Sequence, residues 1–62
     1  MKAVVRDSEG CRMSADIVCD DEASLLSFAR AVFDDYPQAQ CVVAVAERLV
    51  VTRPAERVEE MP

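Results

Sequence analysis

Between positions 20 and 37 the chain reads DDEASLLSFARAVFDDYP. At about 100° per residue, Leu25, Leu26, Phe28, Ala29, Val32, Phe33 and Tyr36 fall on one continuous arc, with Ser27, Arg30 and Asp34 opposite. This spacing predicts one amphipathic helix over 20–37. Outside it the apolar residues come in short runs of a different period. In KAVVR, Lys2 to Arg6, Ala3 and Val5 face one way and Lys2, Val4 and Arg6 the other. In CRMSADIVC, Cys11 to Cys19, the same alternation sets Cys11, Met13, Ala15, Ile17 and Cys19 against Arg12, Ser14, Asp16 and Val18, and the first set is expected to face the helix. QCVVAVA, Gln40 to Ala46, is almost wholly small and apolar, as in a strand covered on both sides or meeting a partner. Its bulkier residues, Cys41, Val43 and Val45, are the expected core face. LVVTR, Leu49 to Arg53, reads as a fourth strand.

Local signals punctuate these runs. Asp7-Ser8-Glu9-Gly10 is turn chemistry: Asp and Ser bond to nearby backbone, and Gly10 accepts a positive φ. Asp20 or Asp21 is the expected N-cap, and Glu22 suits the positive end of the helix dipole. The far end is less favourable, since Asp34 and Asp35 stand beside the negative end of that dipole before Pro37 stops the helix. Glu47 and Arg48 must carry the last hairpin, although neither favours the positive φ that two-residue turns need. Pro54 blocks further pairing, so 54–62 reads as a charged, mobile tail on a single domain of residues 1–53, with Val58 and Met61 able to dock. The expected architecture is α+β, in the order β-β-α-β-β: one helix on one face of a small, mostly antiparallel four-stranded sheet. The other face then carries Lys2, Val4, Arg6, Arg12, Ser14, Asp16, Val18, Val42, Ala44, Ala46, Val50 and Thr52.

Composition narrows the functional classes. A hydrophobic content of 52% over 62 residues argues against intrinsic disorder. A chain this short removes only about 60% of its unfolded surface from water, so its stability is thin. Twelve acidic residues against seven basic ones leave a net charge of -5, which disfavours nucleic acid and anionic membrane and favours a basic partner. No apolar run reaches the ~20 residues of a membrane span, and a cytoplasmic location is expected. Cys11, Cys19 and Cys41 show no C-x-x-C spacing, and the chain has no His, which argues against zinc. They are best explained as small core residues, with only Cys11, beside Arg12 and a turn, placed to be a reactive thiol.

Candidate chemistry is sparse. One glycine cannot build a P-loop or a dinucleotide fingerprint, no Ser sits in a nucleophile elbow, and no His is available as a base. Tautomerases of this size use an N-terminal proline, where this chain has Met1-Lys2. A non-enzyme without cofactor or metal is therefore expected. Lys2, Arg6 and Arg12 make only a modest basic patch, and the aromatics that would stack on bases, Phe28, Phe33 and Tyr36, all lie on the helix arc. What stands out is acid at both helix ends: Asp20, Asp21 and Glu22 at one, Asp34 and Asp35 at the other, roughly 20 Å apart at 1.5 Å per residue, with Glu56, Glu59 and Glu60 in the tail free to add to either. These five residues are the candidate partner-binding site, and the candidate partner is a larger protein with a basic surface, such as a nucleic-acid-handling complex. In size, charge and catalytic bareness the chain resembles the small inhibitors carried by phages and mobile elements, including anti-CRISPR proteins that block DNA binding by effector complexes. The alternative is an assembly module that homodimerises through the open sheet face.

Overall fold

The computed structural model describes the whole chain, Met1–Pro62. Its elements are β1 (Lys2–Asp7), β2 (Ile17–Val18), α1 (Glu22–Asp35), β3 (Ala39–Ala44), β4 (Leu49–Thr52) and β5 (Glu59–Glu60). They form one helix packed against an antiparallel five-stranded sheet of order β2-β1-β3-β4-β5. The α+β class stands as expected, with one strand more than the sequence suggested. After the helix the chain enters the sheet at its centre, where β3 pairs with both β1 and β4.

The helix is fixed at both ends. Asp21, not Asp20, is the N-cap: its backbone is extended and its Oδ1 accepts from the Ser24 N–H at 2.8 Å, satisfying a donor the helix leaves free. At the other end Tyr36 turns extended ahead of Pro37. Leu25, Ala29 and Phe33 are buried, and Leu26, Phe28 and Val32 are half-buried. Tyr36, expected on the apolar arc, lies past the last helical turn and is 55% exposed. No basic residue occupies that turn, and the connection that follows it is held from β4's end. Arg53 donates from Nη2 to the Tyr36 carbonyl at 2.9 Å and the Pro37 carbonyl at 3.4 Å, and from Nε to the Ala39 carbonyl at 2.9 Å. Its guanidinium lies 5.0 Å from the centre of the Phe33 ring.

Beneath the helix, Val5, Val42 and Val51 form one cross-strand row, and Ala3, Ala44 and Leu49 lie on the same face. This corrects the face expected of β3. Val42 and Ala44 are fully buried under the helix, whereas Cys41 and Val43 face the other way and Val45 is 63% exposed. Size was the wrong guide, because Val42 and Val43 are the same residue on opposite faces. Pairing was the right one, since Val42 must share the face of Val5 and Val51. The isosteric changes Val42→Thr and Val43→Thr separate the two faces. The first buries a hydroxyl without an assured partner and is expected to cost about 1–3 kcal/mol in urea unfolding. The second is expected to cost less than half as much, and equal costs would refute this register.

The second correction concerns Cys11 to Cys19, which is not one strand. Only Ile17 and Val18 pair regularly with β1, and a single bridge joins Arg12 to Arg6. In between, polar side chains take the place of the ladder. Ser14 Oγ accepts from the Val5 N–H at 3.1 Å, while Arg12 donates to the Ser14 carbonyl at 2.6 Å and to the Asp16 carboxylate at 2.8 Å. Ser and Asp compete with the backbone in this way. The segment bows out, so Cys11, Met13 and Ala15 are exposed, Ile17 is half-buried and only Cys19 reaches the core.

The stretch read as a tail carries the extra strand. Ala55 is buried, with its N–H on the Thr52 carbonyl and its own carbonyl accepting from Arg30 Nε on the helix at 3.1 Å. Val58 packs on the core, Glu59 and Glu60 pair with Val50 and Leu49, and the Met61 N–H donates to the Arg48 carbonyl at 2.8 Å. The β3–β4 hairpin turns through Val45–Arg48, wider than Glu47 and Arg48 alone, with Arg48 at φ 58.

Candidate functional site

The acidic groups follow from how the helix starts and stops. Asp20, Asp21 and Glu22 stand together at its beginning and Asp34 and Asp35 in its last turn, all of them exposed. The structure thus joins three of the five candidates and separates them from the other two by the length of the helix, roughly 20 Å at 1.5 Å per residue. None of the five forms an ion pair. The only salt bridge in the molecule is Arg12 to Asp16, at 2.8 Å. Glu59 and Glu60 are fixed in β5 at the sheet edge rather than free to join either group.

The five are not equivalent. Asp21 is held below the usual carboxylate range, first by the Ser24 N–H and then by the Ser24 hydroxyl. Its charge is partly spent on the helix it caps. Because the folded state lowers this pKa, its stabilisation is full above the ordinary carboxylate pKa and is lost as pH falls through the folded value. Asp21→Ala is therefore expected to lower the thermal midpoint at neutral pH, with the gap from the parent closing as pH is taken below the carboxylate range. Asp20→Ala is expected to change little at any pH, and the reverse ranking in thermal melts would reassign the cap.

The face without a helix carries Lys2, Val4, Arg6, Val18, Cys41, Val43, Val50 and Thr52 in the rows set by pairing. Val4 is only 8% exposed there, shielded within the sheet, whereas Val18 on the short edge strand is 74% exposed. Val42 and Ala44 leave the expected composition of this face, as does Ser14, which turns to the helix side. No aromatic stands on it. Cys41 sits opposite Arg6 in the ladder, and burial pushes its thiol pKa up more than Arg6 draws it down. Of the cysteines expected in the core, Cys19 is buried there, Cys41 is half-buried on this open face, and Cys11 is exposed in the hairpin region.

Two clefts mark the surface. The larger, about 310 Å³, lies where the bowed segment stands off from the helix and is lined by Val5, Met13, Ser14, Phe28, Val32 and Tyr36. Sequence reasoning missed it by placing Met13 in the core. The available signal was Ser14 and Asp16, two residues that favour local backbone bonding inside an otherwise alternating run. The smaller cleft, about 190 Å³, is lined by Thr52, Arg53, Pro54, Glu56, Arg57 and Glu59. Asp7, Glu9 and Cys11 bring metal-type ligand atoms within 4.8 Å of one another. The Asp7 carboxylate there already accepts from the N–H groups of Glu9 and Cys11, each at 2.9 Å, so hairpin closure accounts for the grouping.

The larger cleft is lined almost wholly by apolar side chains and the smaller mostly by polar and charged ones, and the molecule's conspicuous polar feature is its unneutralised acid. Comparison of the chain with protein-family models, curated proteins and solved structures finds no match.

Proposed function

We propose that this chain is a small, non-enzymatic, cytoplasmic binding protein that docks through acidic surface onto a basic region of a larger protein. The observation that carries this reading is that Asp20, Asp21, Glu22, Asp34 and Asp35 are all exposed and none has a cationic partner within the fold. Unpaired surface charge of one sign steers a partner of the other sign and orients it on contact. Two groups about 20 Å apart on one rigid helix offer a spaced pattern of negative charge of the kind a phosphate-binding surface receives. A protein of this type acts as phage-borne or mobile-element inhibitors do, by occupying ground that nucleic acid would otherwise hold. No helix is long and apolar enough to cross a membrane.

The second reading, homodimerisation through the open sheet face, is supported by exposed Val18 and by Val43 and Val50 lying side by side on that face. Sedimentation separates the two. A monomer that binds a basic protein at low salt and releases it as salt rises supports acidic docking. A stable dimer broken by Val18→Asp supports the alternative.

A further inference from the structure

The open face of the sheet is charged unevenly from side to side. Glu59 pairs with Val50 in the ladder and so shares its face, whereas Glu60 pairs with Leu49 and lies on the helix side. Across the face from Glu59, β1 presents Lys2 and Arg6. Between the two sides Val43 and Val50 are half-buried, with Val4 beside them. Neither Lys2 nor Arg6 forms an ion pair, and Glu59 forms none with Arg57, which borders the smaller cleft with it. Arg12, next to Arg6, is already paired with Asp16. The face is therefore basic on the β1 side, apolar in the middle and acidic at β5.

Such a face complements itself. Two copies with aligned strands can be laid face to face about a two-fold axis that runs either across the strands or along them. An axis across the strands sets every strand over its own counterpart, with Arg6 over Lys2 and Glu59 over Glu59, like charge on like. An axis along the central strand β3 reverses the strand order instead, so that β1 lies over β4 and β2 over β5 of the second copy. Val4 then meets Val50, and Glu59 comes over the side that carries Lys2 and Arg6. One face of a molecule 24 × 22 × 19 Å across takes roughly a sixth to a fifth of its 4048 Å² surface, about 700–800 Å², against the ~800 Å² that each partner buries in a stable interface of ordinary size. Nearly the whole face must be covered, and the axis along β3 covers it. We infer that the open face is occupied by a second copy of the chain about this axis, with Lys2 and Arg6 of each copy set against Glu59 of the other. The inference rests on the homodimer reading and gives it an arrangement. It is compatible with acidic docking, because both helices and their exposed acidic groups stay on the outer surfaces.

Sedimentation equilibrium of the parent, of Lys2→Glu, of Glu59→Lys and of an equimolar mixture of the two variants tests this. Both substitutions fall at exposed positions without ion pairs, and circular dichroism spectra matching the parent's establish that the fold is kept. The expected result is a parent dimer with a dissociation constant of roughly micromolar order and each variant alone about tenfold weaker. The mixture is expected to return to the parent's level, because in the mixed dimer the introduced glutamate faces the introduced lysine and the remaining Lys2 faces the remaining Glu59. A dimer indifferent to both substitutions yet broken by Val18→Asp overturns the arrangement and leaves dimerisation through this face standing. So does a mixture that stays as weak as its components, or a dimer tightened by Lys2→Glu, which the axis across the strands would give. A parent that remains monomeric at millimolar concentration overturns the inference together with the homodimer reading and leaves acidic docking untouched.

Discussion

Leu25→Ala is expected to cost about 2–5 kcal/mol in urea unfolding, the range for emptying a sealed aliphatic site. Leu25 is fully buried, one of the largest side chains in the molecule with no contact with water, and it belongs to the cluster the helix makes with β3 and β4. A chain of 62 residues at about 0.05–0.15 kcal/mol per residue has roughly 3–9 kcal/mol in total. The substitution therefore removes a large share of the stability and leaves the protein part-unfolded at ambient temperature if the parent lies low in that range. Leu26, its half-buried neighbour on the flank of the arc, provides the control. Leu26→Ala is expected to cost less than half as much, and equal losses at the two positions would show that the helix is rotated from the orientation described.

Arg53→Ala is the second large effect, and its cause lies in the helix C-terminus. Asp34 and Asp35 set negative charge against the negative end of the dipole, and the helix carries no basic residue of its own in that turn. Arg53, at the end of β4, holds the connection that follows the helix through the carbonyls of Tyr36, Pro37 and Ala39 and stacks on Phe33. Ala39 is fully buried, so removing the guanidinium leaves its carbonyl without that donor. The expected cost is about 2–3 kcal/mol, from charge-assisted hydrogen bonds and the stacked cation together. For a domain this small each kcal/mol moves the melting point by roughly 4–8 °C. Arg53→Lys is expected to recover less than half of the loss, because an ammonium cannot reproduce the planar fork that reaches separate carbonyls. Full recovery with lysine would show that charge alone matters there.

These two positions show what was legible in the sequence. The helix was readable because its period, the capping signal at Asp20 or Asp21 and its Pro37 stop agree, and Leu25 followed from the period alone. The hairpin at Asp7–Gly10 was readable because its residues have few other uses; the glycine does take a positive φ, at 83. Arg53 was not readable in this role, since it depends on β4 ending beside the helix C-terminus, a long-range contact that local pattern does not encode. The face of β3 was misread for the same reason: within VVAV the alternation is nearly symmetric in hydrophobicity, and only the pairing of Val42 with Val5 and Val51 breaks the tie. At the candidate site, the exposure of the acidic residues was legible from the helix wheel. The division of labour among them was less so. Asp21 is drawn into the cap, whereas Asp20, Glu22, Asp34 and Asp35 form no ion pair within the fold.

Acidic docking is tested most directly by parallel capture from a bacterial lysate with the tagged parent and with a variant carrying Asp20→Lys, Glu22→Lys, Asp34→Lys and Asp35→Lys, plus Asp21→Asn so that the helix keeps a capping side chain. Bound proteins are released by a salt gradient and quantified by mass spectrometry. The prediction is a basic, nucleic-acid-handling protein held by the parent, released as salt rises, and lost from the variant. The same proteins captured equally by parent and variant, or only further copies of the chain itself at every salt concentration, would contradict it.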